Sequence, residues 1–443
     1  MKRFLKRLSL VLLIGLLIAI VYQYPKLNIL TGYSAKNMNS AVFLAHRNFA
    51  FADSTDNNFF PVSLAHDQMN FETKHTKASV WGLMKREAFY RDGVGSVLLI
   101  DKEDENRSFL RPDRKPVEVA LPYPYGELPQ KDTLFPEIDY SKLENAVADA
   151  FQPQNKTRVV LIIYKDQIIA EAYAPGFDKN SKILGWSMTK SLTATIYGIL
   201  QSQGKLSVHN KVEIEVWQND NRSNITLDNL LRMSSGLAWD ENYFTMSDVT
   251  RMLYLEKHMS QAQIRKAQNH LPATFWNYSS GTSNLLSGYL KKYFATEQQY
   301  MDFWYTDFID KIGMHSTVIE TDLSNNYVGS SYAWATPRDW AKFGLLYLHR
   351  GRWNGEQIFD PEWVDYVTKP TEHSDGQYGA HFWLNAGKTY PDAPPDLYSA
   401  NGFQGQHVFV IPSKDMVIVR MGLAEYPNFD TNAFLGKITA IIQ

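Results

Sequence analysis

Cysteine is absent from the 443 residues. Disulfides, thiol catalysis and thiolate metal sites are therefore excluded, while the compartment is left open. A dominant charge is also absent. The 45 Lys and Arg residues stand against 47 Asp and Glu, a net charge of −2. Such a balance gives no electrostatic case for nucleic acid as a partner. The 11 histidines show no His-Glu-x-x-His or comparable spacing, so neither a metal nor another cofactor is expected. No Gly-x-Ser-x-Gly elbow occurs, which leaves an α/β-hydrolase unsupported. No serine, histidine and aspartate spacing stands out as a triad. Repeats and low-complexity tracts are missing too.

What remains is ordinary globular composition, 44% hydrophobic and 21% charged. The N-terminus is distinctive. Lys2, Arg3, Lys6 and Arg7 precede an almost purely apolar run from Leu8 to Tyr22. That run is short against the roughly 20 residues of a usual span. The bulky Val21-Tyr22-Gln23-Tyr24-Pro25 that ends it offers no small-residue cleavage site. The expectation is an uncleaved, single-pass anchor in the inner membrane. Its positive flank would stay in the cytoplasm and the body would be extracytoplasmic. Cleavage near residues 25–35, followed by secretion, is the alternative. The chain then divides into a tail and anchor (1–25), an accessory region (26–135) and a main domain (136–443). Within the main domain, about 205–330 reads as mostly helical.

Val94 to Ile100 reads as a buried strand, and Tyr140 to Phe151 as a helix with Leu143, Ala146, Val147 and Ala150 on one face. Arg158–Tyr164 and Ile168–Tyr173, either side of Lys165-Asp166-Gln167, read as a β-hairpin. Next comes Gly185-Trp186-Ser187-Met188-Thr189-Lys190. Leu192, Ile196, Ile199 and Leu200 continue it at helical spacing, and Gly204 stops it. Ser187 is expected to cap or open this helix. Ser187 and Lys190, three apart, then share a face at about 5–6 Å between Cβ atoms. A serine hydroxyl is a weak nucleophile until a base takes its proton, and a desolvated lysine can be that base. The helix N-terminus would favour a developing oxyanion. A second Ser-x-x-Lys, Ser202 and Lys205, straddles Gly204 and is read as chance.

Two further stretches carry candidate chemistry. Phe275-Trp276-Asn277-Tyr278-Ser279-Ser280-Gly281 breaks from aromatic into small polar residues before a new helix, and Tyr278 could present a hydroxyl as proton shuttle. Ala400-Asn401-Gly402-Phe403-Gln404-Gly405-Gln406 precedes a strong strand, where glycines allow close approach to the backbone. Alone, the first is as readily packing and the second a turn.

Taken in order, these stretches resemble the β-lactamase-like serine hydrolases: class C β-lactamases, related esterases and 6-aminohexanoate-dimer hydrolases. The resemblance runs from about residue 140 to the end. Arg232-Met233-Ser234-Ser235-Gly236-Leu237, the Ala335–Leu348 stretch, and Gly351-Arg352-Trp353-Asn354-Gly355 support it. It implies an α/β (α+β) fold like that of β-lactamases and penicillin-binding proteins, an antiparallel sheet flanked by helices plus a mostly helical subdomain. It further implies Ser187 as acylated nucleophile, Lys190 as its base, Tyr278 as the tyrosine of the Tyr-x-Asn motif, and the N–H groups of Ser187 and Phe403 as oxyanion hole. Ser280, Asn401, Gly402, Gly405 and Gln406 would then contact substrate. Two departures narrow that substrate. Ser280 stands where the motif has Asn, and Ala400-Asn401-Gly402 stands where Lys-Thr-Gly or His-x-Gly would place a cation. An esterase or amidase acting on a less anionic small molecule is expected. A β-lactamase or penicillin-binding peptidase is the alternative, and a catalytically silent binding protein is the alternative of another class. Oligomeric state is left open.

Overall fold

The computed structural model describes residues 2–424 and 428–442, with the side chains of residues 2, 3, 11 and 16–20 outside the description. Two compact units appear. One comprises Met1–Ser108 with Asp240–Lys257, the other Phe109–Trp239 with His258–Gln443.

The first unit holds a four-stranded antiparallel meander, β1 (His66–Asn70), β2 (His75–Val80), β3 (Leu83–Arg91) and β4 (Gly95–Leu98). The Leu27–Phe43 helix packs on it. Twelve consecutive residues of that helix, Leu30 to Ala41, are buried although many are polar. They are tolerated because they are paired: Ser34 Oγ donates to Asp67 Oδ2 at 2.6 Å, and Asn39 Nδ2 donates to Thr76 Oγ1 at 3.0 Å. The Asp248–Leu255 helix packs against the same helix. The chain thus leaves the second unit after Trp239, contributes this helix to the first, and returns at His258. This divides the chain differently from the sequence expectation. The first unit ends at Ser108, residues 109–135 belong to the second, and the helical stretch 205–330 is interrupted by 240–257.

The apolar run at the N-terminus lies within a helix, Lys2–Gln23. Among the described residues no helix is long and apolar enough to cross a membrane. Val11 and residues 16–20 of the expected anchor lie outside the described side chains.

The second unit is built on a six-stranded antiparallel sheet in the order β12-β13-β14-β15-β5-β6. Its strands are β5 (Thr157–Tyr164), β6 (Gln167–Tyr173), β12 (Trp383–Leu384), β13 (Tyr398–Gly402), β14 (Gln406–Ile411) and β15 (Met416–Gly422). The expected hairpin is β5–β6, paired from Val159↔Tyr173 to Tyr164↔Gln167. Smaller sheets join β7 (Ile183–Leu184), β9 (Ala333–Ala335) and β8 (Val318–Ile319), and β10 (Arg352–Trp353) with β11 (Glu356–Gln357). On one face of the main sheet the helices Tyr140–Ala150 and Thr431–Thr439 close a core of Leu143, Ile162, Phe409, Ile418, Phe434 and Ile438. On the other face lies Pro337–Leu348, capped by Thr336 Oγ1 accepting from Asp339 N. Gly344 lets this helix press on Val417 and Val408, since a Cβ there would stand 2.6 and 2.8 Å from their methyls. Residues 109–135 wrap this unit. Arg114 pairs with Asp310 and donates to Thr317 O at 2.8 Å, and Tyr123 Oη donates to Arg338 O at 3.0 Å.

The central helix is Thr189–Ser202, buried from Thr189 to Leu200. It packs against the Ser280–Tyr289 helix and β13. The three stretches singled out in the sequence are thereby brought together within one unit.

Candidate active site

The turn that presents Ser187 is set by strain and close packing. β7 pairs with β9, and Gly185 N donates to Ala333 O at 2.8 Å. No other residue fits at 185, because a Cβ would lie 2.3 Å from the Trp340 ring. Trp186 then adopts φ +48, a left-handed conformation that costs a bulky residue on the order of 1–2 kcal/mol. Packing enforces it: the indole meets Tyr332 at 6.0 Å and the Phe403 ring edge-on at 5.5 Å. Trp186–Met188 forms one 3₁₀ turn before the α-helix begins at Thr189. Ser187 makes no capping hydrogen bond. The hydroxyl that organises the turn is that of Thr189, which donates to Trp186 O at 2.7 Å and accepts from Ala333 N at 3.0 Å. Ser187 is left half-buried with its side chain outside the cap.

Lys190, 1% exposed, sits one turn further on. Its Nζ is 2.9 Å from each of three oxygens: Ser187 Oγ, Ser280 Oγ and Ser330 O. Three oxygens match the three N–H donors of an ammonium. They match equally a neutral amine that donates to Ser330 O and Ser280 Oγ and accepts the proton of Ser187. The Tyr278 ring lies 4.9 Å from the same Nζ.

Sequence reasoning missed what holds these groups. Ser330 N donates to Asn284 Oδ1 at 3.0 Å, and Thr193 Oγ1 donates to Gly329 O at 2.9 Å, which fixes the carbonyl that receives Lys190. Asn284 is four residues after Ser280 on one helix face, a spacing that could have flagged it. His381 is also structural. Burial above all, with the charge of Lys190, presses its pKa down to about 3. Kept neutral, its Nδ1–H donates to Leu231 O at 2.7 Å, so Nε2 accepts from Ser283 Oγ at 2.9 Å. Around Tyr278 stand three more rings. Trp383 lies 5.3 Å and Tyr378 5.7 Å from it, and Trp276 lies 5.5 Å from Tyr378.

The remaining predicted residues separate into two groups. Gly402 is at the site: a Cβ there would stand 2.1 Å from Gly185 O, so the end of β13 touches the Ser187 turn. Phe403 follows it and packs on Trp186. Asn401 turns to the opposite face of β13 and accepts from His407 Nδ1 at 2.9 Å. Gly405 accepts from Arg420 through its carbonyl, and Gln406 is buried with its amide spent on backbone groups. The side chains of Asn401 and Gln406 thus serve the protein interior, because each is consumed by a partner on its own sheet. A cavity of about 540 Å³ between Glu213, His258, Tyr289 and Lys292 includes none of the predicted residues.

His407 gives a measurable consequence. Burial, then the neighbouring Arg420 charge, lowers its pKa from 6.5 to about 3. As pH falls below 6.5 the unfolded chain binds this proton and the folded chain does not, so stability is lost on acidification. A His407→Asn variant keeps a donor for Asn401 and loses this penalty. Relative to wild type it is expected to gain about 2.5 kcal/mol between pH 7 and pH 4.5, read from urea unfolding at each pH. A constant difference across that range would show that His407 titrates normally.

The architecture and the Ser187–Lys190–Ser280 grouping define a β-lactamase/penicillin-binding-protein-like fold. The chain belongs to the Beta-lactamase family, whose model matches residues 147–435. It is 22% identical over 343 residues to the 6-aminohexanoate-dimer hydrolase of Paenarthrobacter ureafaciens, covering 70% of this chain and 80% of the relative. Two solved structures share the fold. A Bacillus anthracis protein provisionally assigned as a 6-aminohexanoate-dimer hydrolase matches with TM-score 0.56 and 19% identity, over 68% of this chain and 80% of that one. A family VIII carboxylesterase matches with TM-score 0.55 and 14% identity, over 70% and 99%.

Proposed function

We propose that this chain is a serine hydrolase that cleaves an ester or amide through an acyl-enzyme on Ser187. The observation that carries this is the buried Lys190 Nζ held 2.9 Å from Ser187 Oγ. In its neutral form Lys190 takes the hydroxyl proton as Oγ bonds to the substrate carbonyl carbon. The carbonyl oxygen becomes an oxyanion, to which the N–H groups of Ser187 and Phe403 donate. The proton passes by way of Tyr278 to the leaving alcohol or amine, and the bond to that group breaks. Water then attacks the acyl-enzyme by the same path in reverse order of groups, releasing the acid and restoring Ser187.

The preferred substrate is uncharged beside the carbonyl. Ala400, 1% exposed, offers no cation at the position where the family binds carboxylate. The Trp276, Tyr278, Tyr378 and Trp383 rings supply apolar and π surface instead. The relatives named above, a family VIII carboxylesterase and a 6-aminohexanoate-dimer hydrolase, support the hydrolase reading.

Intact-mass analysis after fluorophosphonate treatment tests the proposal. One adduct is expected on wild type and none on Ser187→Ala, with p-nitrophenyl acetate turned over and nitrocefin hardly at all. No adduct on the folded protein would overturn the nucleophile. Nitrocefin turnover exceeding that of the ester would overturn the substrate class.

A further inference from the structure

β13 and β14 are joined by Phe403, Gln404 and Gly405, with φ of +61 at Gln404 and +76 at Gly405. A three-residue hairpin loop ordinarily leaves its carbonyls to water. Here all three are gripped from inside the protein. Gln406 is 1% exposed, and one Nε2 hydrogen is shared between Phe403 O at 3.1 Å and Gln404 O at 3.3 Å, the latter also accepting from Ala424 N at 3.0 Å. The same amide exchanges hydrogen bonds with both backbone groups of Gly422 at the end of β15. Arg420 is fully buried, and its Nη1 donates to Gly405 O at 2.8 Å. Its Nη2 reaches Asn155 O at 2.6 Å and Thr157 Oγ1 at 2.8 Å, and Phe429 covers the guanidinium at 4.2 Å.

Burying an amide and a guanidinium is costly unless their hydrogen bonds are met, and apolar residues would serve a plain hairpin at least as well. What the polar pair adds is direction. A peptide unit is planar, so pinning consecutive carbonyls leaves the loop few torsions to move. At its start the loop is fixed again, by the Gly402↔Gln406 pairing and by the contact of Gly402 with Gly185 O. The Phe403 N–H lies between these two fixed ends.

We infer that Gln406 and Arg420 are positioning residues that aim the Phe403 N–H at the oxyanion formed on Ser187. Both act through the loop, and the inference rests on the acyl-enzyme mechanism proposed above. Gln406→Met keeps the volume and removes every hydrogen bond of the side chain. Arg420→Lys keeps the charge and loses the fork that joins Gly405 to Asn155.

The test measures kcat, KM, thermal midpoint and fluorophosphonate labelling rate for wild type and both variants. Substrates are p-nitrophenyl acetate and its thiono analogue, whose sulfur is a poor hydrogen-bond acceptor. In each variant kcat on the oxo ester should fall about tenfold to hundredfold with KM within about threefold. The oxo-to-thiono ratio of kcat/KM should shrink at least about fivefold, because a misdirected donor no longer favours oxygen. A merely structural role lowers the midpoint without moving that ratio, and an unchanged ratio overturns the inference. A wild type that takes no label on Ser187 overturns the mechanism and the positioning role together, whereas a labelled wild type with insensitive variants overturns the positioning role alone.

Discussion

Replacing Lys190 by methionine is expected to lower kcat/KM on p-nitrophenyl acetate by about three to four orders of magnitude, the upper range for loss of a general base. Methionine follows the same path as the lysine stem, so packing beneath the site is largely kept. The Nζ that meets Ser187, Ser280 and Ser330 O is removed. Stability should respond far less. Leaving Ser330 O without its partner costs about 1–3 kcal/mol, but the desolvation cost of a buried amine is removed at the same time. The distinguishing readout is therefore activity against thermal midpoint. His381 supplies an internal reporter, because Lys190 contributes to its depressed pKa. In the variant its imidazole should titrate at a higher pH than in wild type, with burial still the leading cause of the depression. Turnover by Lys190→Met within tenfold of wild type would mean that another group takes the Ser187 proton.

The Lys190 grouping also shows what a sequence can and cannot display. Ser187 and Lys190 were legible because three residues on a helix is a local relation, and the β5–β6 hairpin was legible for the same reason. Ser280 was legible only as a position in a motif, and Ser330 not at all. Its contribution is a backbone carbonyl brought 140 residues back along the chain. β4 was legible as the apolar run Val94 to Ile100, but the Leu27–Phe43 helix and β1 to β3 were missed because they are polar where sequence patterns require apolar residues. β1 reads His-Asp-Gln-Met-Asn, and the helix buries Ser34, Lys36, Asn37 and Asn39. The partners of Ser34 and Asn39, Asp67 and Thr76, lie over 30 residues away. Gln406 was placed against substrate by the resemblance alone, and only its bonds to Gly422 at the end of β15 and its burial show that it faces inward. The excursion of 240–257 was invisible because its helix is amphipathic in the ordinary way, which fixes that a face is buried but not against what.

Gly402→Ala is the single-methyl substitution expected to do most damage to the site. The added Cβ would stand 2.1 Å from Gly185 O and 3.1 Å from Gly185 C, well inside the roughly 3.5 Å at which nonbonded heavy atoms rest. Both obstacles are backbone, so no rotamer change relieves them. The Ser187 turn cannot retreat, since Gly185 N is bonded to Ala333 O at 2.8 Å and the Trp340 ring fills the space behind Gly185. β13 cannot withdraw freely either, because Gly402 is paired with Gln406, whose side chain is itself tied to Gly422. The two segments must therefore part by about 1 Å or more. A shift of that size costs about 1–3 kcal/mol in folding free energy, as overpacking does, and about a hundredfold or more in rate when it separates catalytic groups. The expected result is a folded protein with a lowered thermal midpoint, kcat/KM reduced at least about a hundredfold, and fluorophosphonate labelling slowed in proportion. Loss should exceed that of Gln406→Met, which loosens the same loop without pushing it. If Gly402→Ala instead labels and turns over ester within tenfold of wild type, close contact between β13 and the Ser187 turn is not what assembles the oxyanion site. The Phe403 N–H would then lose its place in the mechanism.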